Sequence, residues 1–215
     1  MRTPDPQALI EGAAALDLAL TDDQAASLLA YLALLSKWNR VYNLTAVRDP
    51  SAMLVQHLLD CIAVIAPLGR WSQGRPARIL DVGSGAGLPG VVIAALMPNM
   101  EVTCVDSVGK KAAFVRQVAS ELSLKNLRSV HARVESLVTE PFDLIISRAF
   151  AALADFVSIT RSHARQGTVW LAMKGRLTAD ETQALGPECE VFHVEQRHVP
   201  WLDAERHLIW MRKRT

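Results

Sequence analysis

The sequence predicts an α/β domain in which a mostly parallel sheet follows an extension of helices and closes with an antiparallel hairpin. Helical spacing of apolar residues dominates the first 66 residues. From residue 78 onward, short apolar runs alternate with helical segments, which is typical of βαβ units and a parallel sheet. Two late strand-like runs, 190–199 and 206–213, are joined by a short loop containing Pro200. Such a short connection favours an antiparallel pair.

The N-terminal extension is predicted to begin with two helices. The first is expected over 6–20. Thr21 and Gln24 have the spacing of a capping box, in which each side chain satisfies a backbone amide at the start of the second helix. Apolar residues then recur at helical spacing between 25 and 35, so this helix presents one face to a core.

A third helix and the boundary of the extension follow. Asp49 before Pro50 predicts an N-cap with proline at the first helical position. Proline and glycine at 67–69 are expected to end this helix. We therefore divide the chain into an N-terminal helical extension, residues 1–70, packed on a core domain, residues 71–215.

The core domain alternates predicted strands with crossover helices. Strands are predicted at 79–82, 101–105, 142–146 and 168–173, with a further one before His131. Crossover helices are predicted at 89–97, 110–122 and 153–164. The carboxyl ends of such strands meet at the edge where open α/β sheets bind ligands.

Composition excludes several classes of protein. The 215 residues are 50% hydrophobic, with 23 Lys+Arg against 22 Asp+Glu and a net charge of +1, so binding of nucleic acid must be local rather than driven by bulk charge. Uninterrupted apolar runs fall well short of the roughly 20 residues of a membrane span. A cytoplasmic protein without a membrane span is therefore expected. The number of cysteines is odd and they are widely spaced, at Cys61, Cys104 and Cys189. This pattern predicts buried thiols and no metal site.

The clearest functional motif is the glycine-rich run 81–90, DVGSGAGLPG, between a predicted strand and a helix. Glycines let a backbone approach a ligand, and the following helix offers unpaired amides. Gly85, Gly87 and Gly90 also match the dinucleotide spacing, so a nicotinamide-dependent oxidoreductase is an alternative. Asp81 favours a ligand with an ammonium group, because a carboxylate would oppose a pyrophosphate.

Further candidate residues follow the later strands. Asp106 ends the second strand 23 residues after Gly83 (106 − 83), where doubly wound folds present an acid to ribose hydroxyls. The segment 131–135 follows the third strand, where adenine contacts are usual. Arg148 follows the fourth strand on the ligand side. Its position is equally compatible with a contact to the ligand and with a solvated side chain.

Basic residues and histidines give weaker signals. Lys110, Lys174 and Arg176 are candidates for RNA phosphate contacts, since the last two end a strand on the ligand side. The histidines show no metal-ligand spacing. His57 is interpreted as a hydrogen-bonding core residue rather than a base.

Taken together, the order and spacing of these motifs resemble one family. The matching segments are Trp38-Asn39, Tyr42-Asn43-Leu44-Thr45, His57-Leu58-Leu59-Asp60, 81–90, Asp106-Ser107, Lys110-Lys111, Arg133-Val134-Glu135, Ser147-Arg148-Ala149, Lys174-Gly175 and Glu205-Arg206-His207-Leu208. The family is that of the bacterial 16S ribosomal RNA guanine-N7 methyltransferases called RsmG, or glucose-inhibited division protein B. Residues 1–20 carry little of the resemblance.

The resemblance implies a class I S-adenosylmethionine-dependent methyltransferase: a Rossmann-like, seven-stranded, mostly parallel sheet with an antiparallel C-terminal hairpin. It implies methylation of N7 of one guanine in 16S ribosomal RNA within the 30S subunit, by a monomer. Cofactor contacts carried over from the family are Gly83, Leu88, Val134, Glu135 and Arg148. The glycine-rich motif and the strand ends described above add Asp81, Gly85 and Asp106 as predicted contacts.

Guanine N7 carries no proton at neutral pH, so no general base is expected, and Arg148 is expected to act by positioning. The alternatives are a nicotinamide-dependent oxidoreductase and a non-catalytic ribosome-assembly factor with a vestigial cofactor pocket. Binding of S-adenosylmethionine followed by methyl transfer distinguishes the three.

Overall fold

The structure is a computed structural model that describes residues 5–148, 150, 152–176 and 178–214. Two expectations reach outside these residues: Ala149 of the motif Ser147-Arg148-Ala149, and residues 1–4 of the predicted extension. The strands are β1 Ala77–Val82, β2 Met100–Asp106, β3 Leu127–His131, β4 Phe142–Ser147, β5 Ala164–Lys174, β6 Cys189–Arg197 and β7 Arg206–Lys213.

The helices lie before and between these strands. They are α1 Pro6–Ala14, α2 Asp22–Tyr42, α3 Pro50–Met53, α4 Asp60–Ile62, α5 Ile65–Ser72, α6 Gly90–Leu96, α7 Gly109–Glu121, α8 Leu153–Thr160 and α9 Ala179–Gln183. A π-helical segment, Leu54–Leu59, joins α3 to α4, and short 3-10 turns occupy Val134–Ser136 and Arg161–His163.

The seven strands form one sheet with the order β3-β2-β1-β4-β5-β7-β6. β1 to β5 pair in parallel, whereas β7 runs antiparallel to both β5 and β6. The predicted C-terminal hairpin is confirmed, and its second strand lies inside the sheet rather than at its edge. Because the chain moves outward in opposite directions from β1 and β4, the carboxyl ends of these two strands border a crevice, the usual place for a ligand in this architecture.

The sheet buries apolar side chains on both faces. On one face Ile79, Val102 and Ile146 pack with α1 to α7 in a single hydrophobic cluster. On the other face Leu80, Ile145 and Trp170 pack with α8. Alternate residues of a strand point to opposite faces, so the continuous apolar runs of the central strands follow from their burial on both sides.

Three helix ends differ from the sequence prediction. The helix predicted over 153–164 ends at Thr160 and is followed by a 3-10 turn. The helix predicted over 6–20 ends at Ala14, because the backbone turns at Asp17 (φ 63°) while Leu16 stays buried. The end predicted at 67–69 is also wrong, since α5 continues to Ser72. Pro67 lies in the first turn of α5, where its missing amide hydrogen costs no intrahelical bond.

The stretch Pro50–Ser72 is long and apolar enough to cross a membrane: a window of 18 residues within it has a mean hydropathy of 1.7, but 72% of that window is buried inside the protein. Its residues Leu58, Ile62 and Leu68 belong to the same hydrophobic cluster as the sheet. This is the behaviour of a core helix. The division of the chain at residue 70 stays a prediction.

Candidate functional site

A cavity of about 490 Å³ opens at the carboxyl ends of β1 to β4. Its volume is typical of a small-molecule site. Residues that line it come from the loops after these strands: Val82, Gly83, Val105, Asp106, Ser107, Val108, Lys111, Ala132, Arg133, Val134, Glu135, Phe150 and Ile159. The predicted cofactor residues Gly83, Asp106, Val134 and Glu135 are therefore brought together.

The glycine-rich loop lines this cavity through Val82 and Gly83, whereas the predicted cofactor residue Gly85 is not among the lining residues. Gly83 and Gly85 adopt left-handed backbone conformations (φ 65° and 59°), which L side chains adopt only with strain. The Gly85 amide donates to Asp106 Oδ2 at 2.9 Å, and the Tyr31 hydroxyl donates to the carbonyl oxygen of Ala86 at 2.9 Å. The loop is thus held by β2 on one side and by the N-terminal helices on the other.

Asp106 is placed to bind a diol. Its Oδ1 accepts from the Val108 amide at 2.8 Å, its Oδ2 accepts from Gly85, and Lys111 Nζ lies 4.0 Å from Oδ2. These bonds fix the carboxylate in orientation. An ionised carboxylate has about four acceptor positions, so two remain for hydroxyl groups.

Asp81 does not reach the cavity, and the expectation that it contacts a ligand's ammonium group directly is corrected. Its side chain is fully buried, with Oδ2 accepting from the Gly90 amide at 2.8 Å. Burial raises the pKa of Asp81 to about 7. Its Oδ1 has no hydrogen-bond partner among the described residues. Asp81 therefore joins the end of β1 to the start of α6 and acts on the shape of the loop.

Leu88 and the residues predicted to contact adenine, 134 and 135, lie at different depths below the surface of the cavity. Leu88 is buried in the hydrophobic cluster beneath the loop and is not among the residues that line the cavity. Val134 is buried and Glu135 is exposed, both within the short turn after β3. This turn therefore presents one apolar and one acidic side chain to the cavity.

Arg148, which the resemblance gives as a cofactor contact, is not among the residues that line this first cavity; it lines a second one, of about 330 Å³, at the carboxyl ends of β4 and β5 and the start of β7. The lining residues are Gln56, His57, Asp60, Arg148, Met173, Lys174, Gly175 and Arg206. Arg148 and Phe150 both follow β4 and each lines one cavity, so both cavities lie at the carboxyl end of this strand. We call them the β1 cavity and the β7 cavity.

The three predicted RNA contacts lie in different environments. Lys110 and Arg176 are exposed. Lys174 lies half-buried in the β7 cavity with its ammonium paired to Glu181 of α9. The expectation that Lys174 contacts an RNA phosphate is thereby corrected, because the carboxylate of Glu181 already neutralises the charge of this lysine.

His57 is held in the core by a chain of hydrogen bonds from the end of α2. The Thr45 amide donates to Asn39 Oδ1 at 2.9 Å, and Thr45 Oγ1 lies 2.9 Å from His57 Nε2. Burial, with a further contribution from the Arg148 guanidinium, lowers the pKa of His57 to about 4. The structure thus agrees with a neutral, hydrogen-bonding histidine.

The low pKa of His57 predicts a pH-dependent stability. The unfolded imidazole titrates near pH 6.5, so between pH 6.5 and 4 the unfolded state binds a proton that the folded state lacks. Wild type should therefore lose about 3 kcal/mol of unfolding free energy relative to His57→Gln as pH falls through this window. Urea unfolding of both proteins at pH 4, 5, 6 and 7.5 measures this difference. A difference that is constant across this range would contradict the assignment.

Sequence reasoning did not foresee the roles of Asp60 and Tyr31. Asp60 is a carboxylate in the apolar run 58–65, and an acid in such a run indicates a buried group with charged partners. The structure gives it two, Arg148 and Arg206. Tyr31 carried no signal beyond its helical spacing. In the described part of the chain, no group of three or more His, Cys, Asp or Glu side chains could hold a metal ion.

Solved structures with similar folds include a methyltransferase with its cofactor bound. Magnesium protoporphyrin IX methyltransferase from Synechocystis, solved with bound S-adenosylmethionine, superposes with a TM-score of 0.62 at 16% identity, covering 92% of this chain and 100% of that chain. TrmN from Thermus thermophilus gives 0.59 at 19% identity, covering 74% of this chain and 53% of that chain. The fold is therefore that of the class I S-adenosylmethionine-dependent methyltransferases.

Sequence comparisons identify a family within this fold. The ribosomal RNA small subunit methyltransferase G of Leptothrix cholodnii is 58% identical over 99% of this chain and 97% of its own length. That of Methylibium petroleiphilum is 55% identical over 97% and 94%. The family model GidB, rRNA small subunit methyltransferase G, matches residues 24–209. Neither the oxidoreductase nor the non-catalytic alternative is supported by these relatives, and the chain belongs to the rRNA small subunit methyltransferase G family.

Proposed function

We propose that the protein transfers a methyl group from S-adenosylmethionine to N7 of one guanine in bacterial 16S ribosomal RNA, acting in the cytoplasm as a monomer on the 30S subunit. Family membership supports the reaction. The observation that carries the proposal is the pair of cavities that both lie at the carboxyl end of β4. One has the residues for a nucleoside cofactor, and the other has cationic groups for an RNA nucleotide.

The residues of the β1 cavity fit S-adenosylmethionine, which supplies an electrophilic methyl group when bound. Asp106 accepts from ribose hydroxyls through its remaining acceptor positions. The exposed Gly83 leaves room for the amino-acid portion, and Val134 provides apolar surface for the adenine. Leu88 and Asp81 act from beneath by fixing the loop.

The β7 cavity requires no proton acceptor for this reaction. N7 of guanine has an in-plane lone pair and no proton at neutral pH, so rate comes from holding N7 in line with the methyl group. Arg148 is suited to hold guanine O6 or a phosphate through its planar fork. Direct contact with N7 is disfavoured, because this nitrogen becomes positive during the transfer.

The test is methyl transfer from labelled S-adenosylmethionine to small-subunit particles that lack the modification, followed by mapping of the methylated base. With a net charge of +1, the protein must rely on local contacts and shape, so we expect particles to be better substrates than protein-free 16S RNA. Transfer to N7 of a single guanine is the expected result. No transfer to either substrate, or transfer to another atom, would overturn the proposal.

Replacing Asp106 should weaken cofactor binding without unfolding the protein. Asp106→Ala removes charge-assisted hydrogen bonds to the ribose, a loss of about 1.5–3 kcal/mol or about 10- to 150-fold in Kd. Calorimetry with S-adenosylmethionine measures this change. Glu101→Ala is the matched control, because Glu101 is an exposed carboxylate at the other end of β2. Equal affinities of Asp106→Ala and the control would show that the ribose is bound elsewhere.

A further inference from the structure

Asp60 is a buried carboxylate shared by two arginines that arrive from distant parts of the chain. Its side chain is 4% exposed. Oδ2 lies 3.1 Å from Arg148 Nη1 at the end of β4, and Oδ1 lies 2.6 Å from Arg206 Nε at the start of β7. A single carboxylate at the start of α4 thus connects the N-terminal helices with the end of β4 and the start of β7.

The two guanidinium groups keep donors free for a ligand. Arg148 Nη1 also donates to the Gln56 carbonyl oxygen at 3.0 Å, and Arg206 Nη1 donates to the Glu205 carbonyl oxygen at 2.8 Å. Within residues 5–148, 150, 152–176 and 178–214, no hydrogen bond uses Arg148 Nε or Nη2, or Arg206 Nη2. The bonds that are made fix each planar group, and the donors that remain unbonded belong to side chains lining the β7 cavity.

The charge of the β7 cavity suits an RNA nucleotide. Its lining carries the cations Arg148 and Arg206 against the carboxylate of Asp60, a formal charge of +1 from 2 − 1, since Glu181 neutralises Lys174. His57 is neutral because burial lowers its pKa to about 4. Two guanidinium groups on one small cavity repel each other, and a carboxylate between them offsets this repulsion.

We propose that Asp60 is a positioning residue for methyl transfer: it orients Arg148 and Arg206 so that their free donors bind the target guanosine at the end of β4, beside the cofactor. This inference rests on the proposed function and assigns a role to a residue that touches neither the cofactor nor the RNA. Asp60 itself makes no contact with the substrate, since both of its oxygens are occupied by the arginines.

The experiment compares Asp60→Asn with Asp143→Asn in the full chain. Asp143 accepts from Arg165 at the other end of β4, far from both cavities, and provides a matched loss of one carboxylate paired with arginine. Calorimetry gives the Kd for S-adenosylmethionine, and steady-state kinetics on unmethylated small-subunit particles give kcat and KM.

For Asp60→Asn we expect a cofactor Kd within about threefold of wild type and a fall in kcat of about 100-fold, the size expected when a reacting group is misplaced by about 1 Å. KM should change much less. Asp143→Asn should keep wild-type kcat. A kcat within threefold of wild type for Asp60→Asn would overturn the inference, as would a loss of cofactor binding as large as the loss of kcat.

Arg206→Gln provides a second variant if Asp60→Asn does not fold. Its side chain is 26% exposed, so its removal leaves the core intact. The same fall in kcat with an unchanged cofactor Kd is expected, and wild-type turnover would overturn the inference. The wild-type protein separates the two proposals: if it transfers no methyl group, the proposed function fails, whereas an active wild type with equally active variants refutes only the role of Asp60.

Discussion

Gly90→Ala is expected to destabilise the protein by about 3–5 kcal/mol, the sum of overpacking and a weakened buried hydrogen bond. A Cβ at this position would lie 2.4 Å from Cys104 Sγ and 2.8 Å from Asp81 Oδ2. Both side chains are buried and cannot move aside into solvent. The same shift would lengthen the bond from the Gly90 amide to Asp81.

Thermal unfolding without cofactor measures this effect, and for a chain of this size it should lower Tm by roughly 6–20 °C. Gly69→Ala is the control, since nothing lies within 4 Å of its added Cβ inside α5. Alanine is preferred to glycine inside a helix, so this variant should be as stable as wild type or slightly more stable. Equal melting temperatures for both variants would show that the loop has room at Gly90.

Arg148→Lys is expected to reduce the single-turnover rate about 100-fold at saturating cofactor. One nitrogen of Arg148 donates to Gln56 and Asp60 together, which leaves the rest of its planar fork for the substrate. A lysine ammonium replaces that fork with a point charge and cannot make both sets of contacts. The loss should appear in the rate of transfer rather than in stability.

The control for this substitution is Arg165→Lys, which changes an exposed arginine paired with Asp143 at the far end of the sheet. It should transfer the methyl group at the wild-type rate. Rapid-quench measurements with small-subunit particles compare the two variants. A rate for Arg148→Lys within threefold of wild type would mean that only the charge at this position matters.

Local patterns predicted the cofactor half of the site. The strand, the glycines and Asp106 lie within 28 residues (106 − 79 + 1), and each has a conformational or hydrogen-bonding reason that can be recognised without the fold. The structure brings Gly83 and Asp106 to one cavity as expected. The exception is Asp81, because whether a carboxylate at a strand end faces the ligand or the following helix depends on packing that the motif does not specify.

The β7 cavity could not be predicted in this way. Asp60 and Arg206 are 146 residues apart and meet only because β7 pairs with β5. The pairing of Lys174 with Glu181 likewise depends on the position of α9. Helix ends were missed for a related reason: Asp17 and Pro67 are compatible with several backbone paths, and burial of neighbouring leucines selects one.

The position of β7 also places the last strand of the chain inside the sheet. This strand is the last of the sheet to be synthesised, yet it lies between β5 and β6 and pairs with both. Single domains fold as cooperative units, and Arg206 at the start of β7 is one of the residues that line the β7 cavity. The residues proposed to hold the guanosine are therefore brought together only when the end of the chain has entered the sheet.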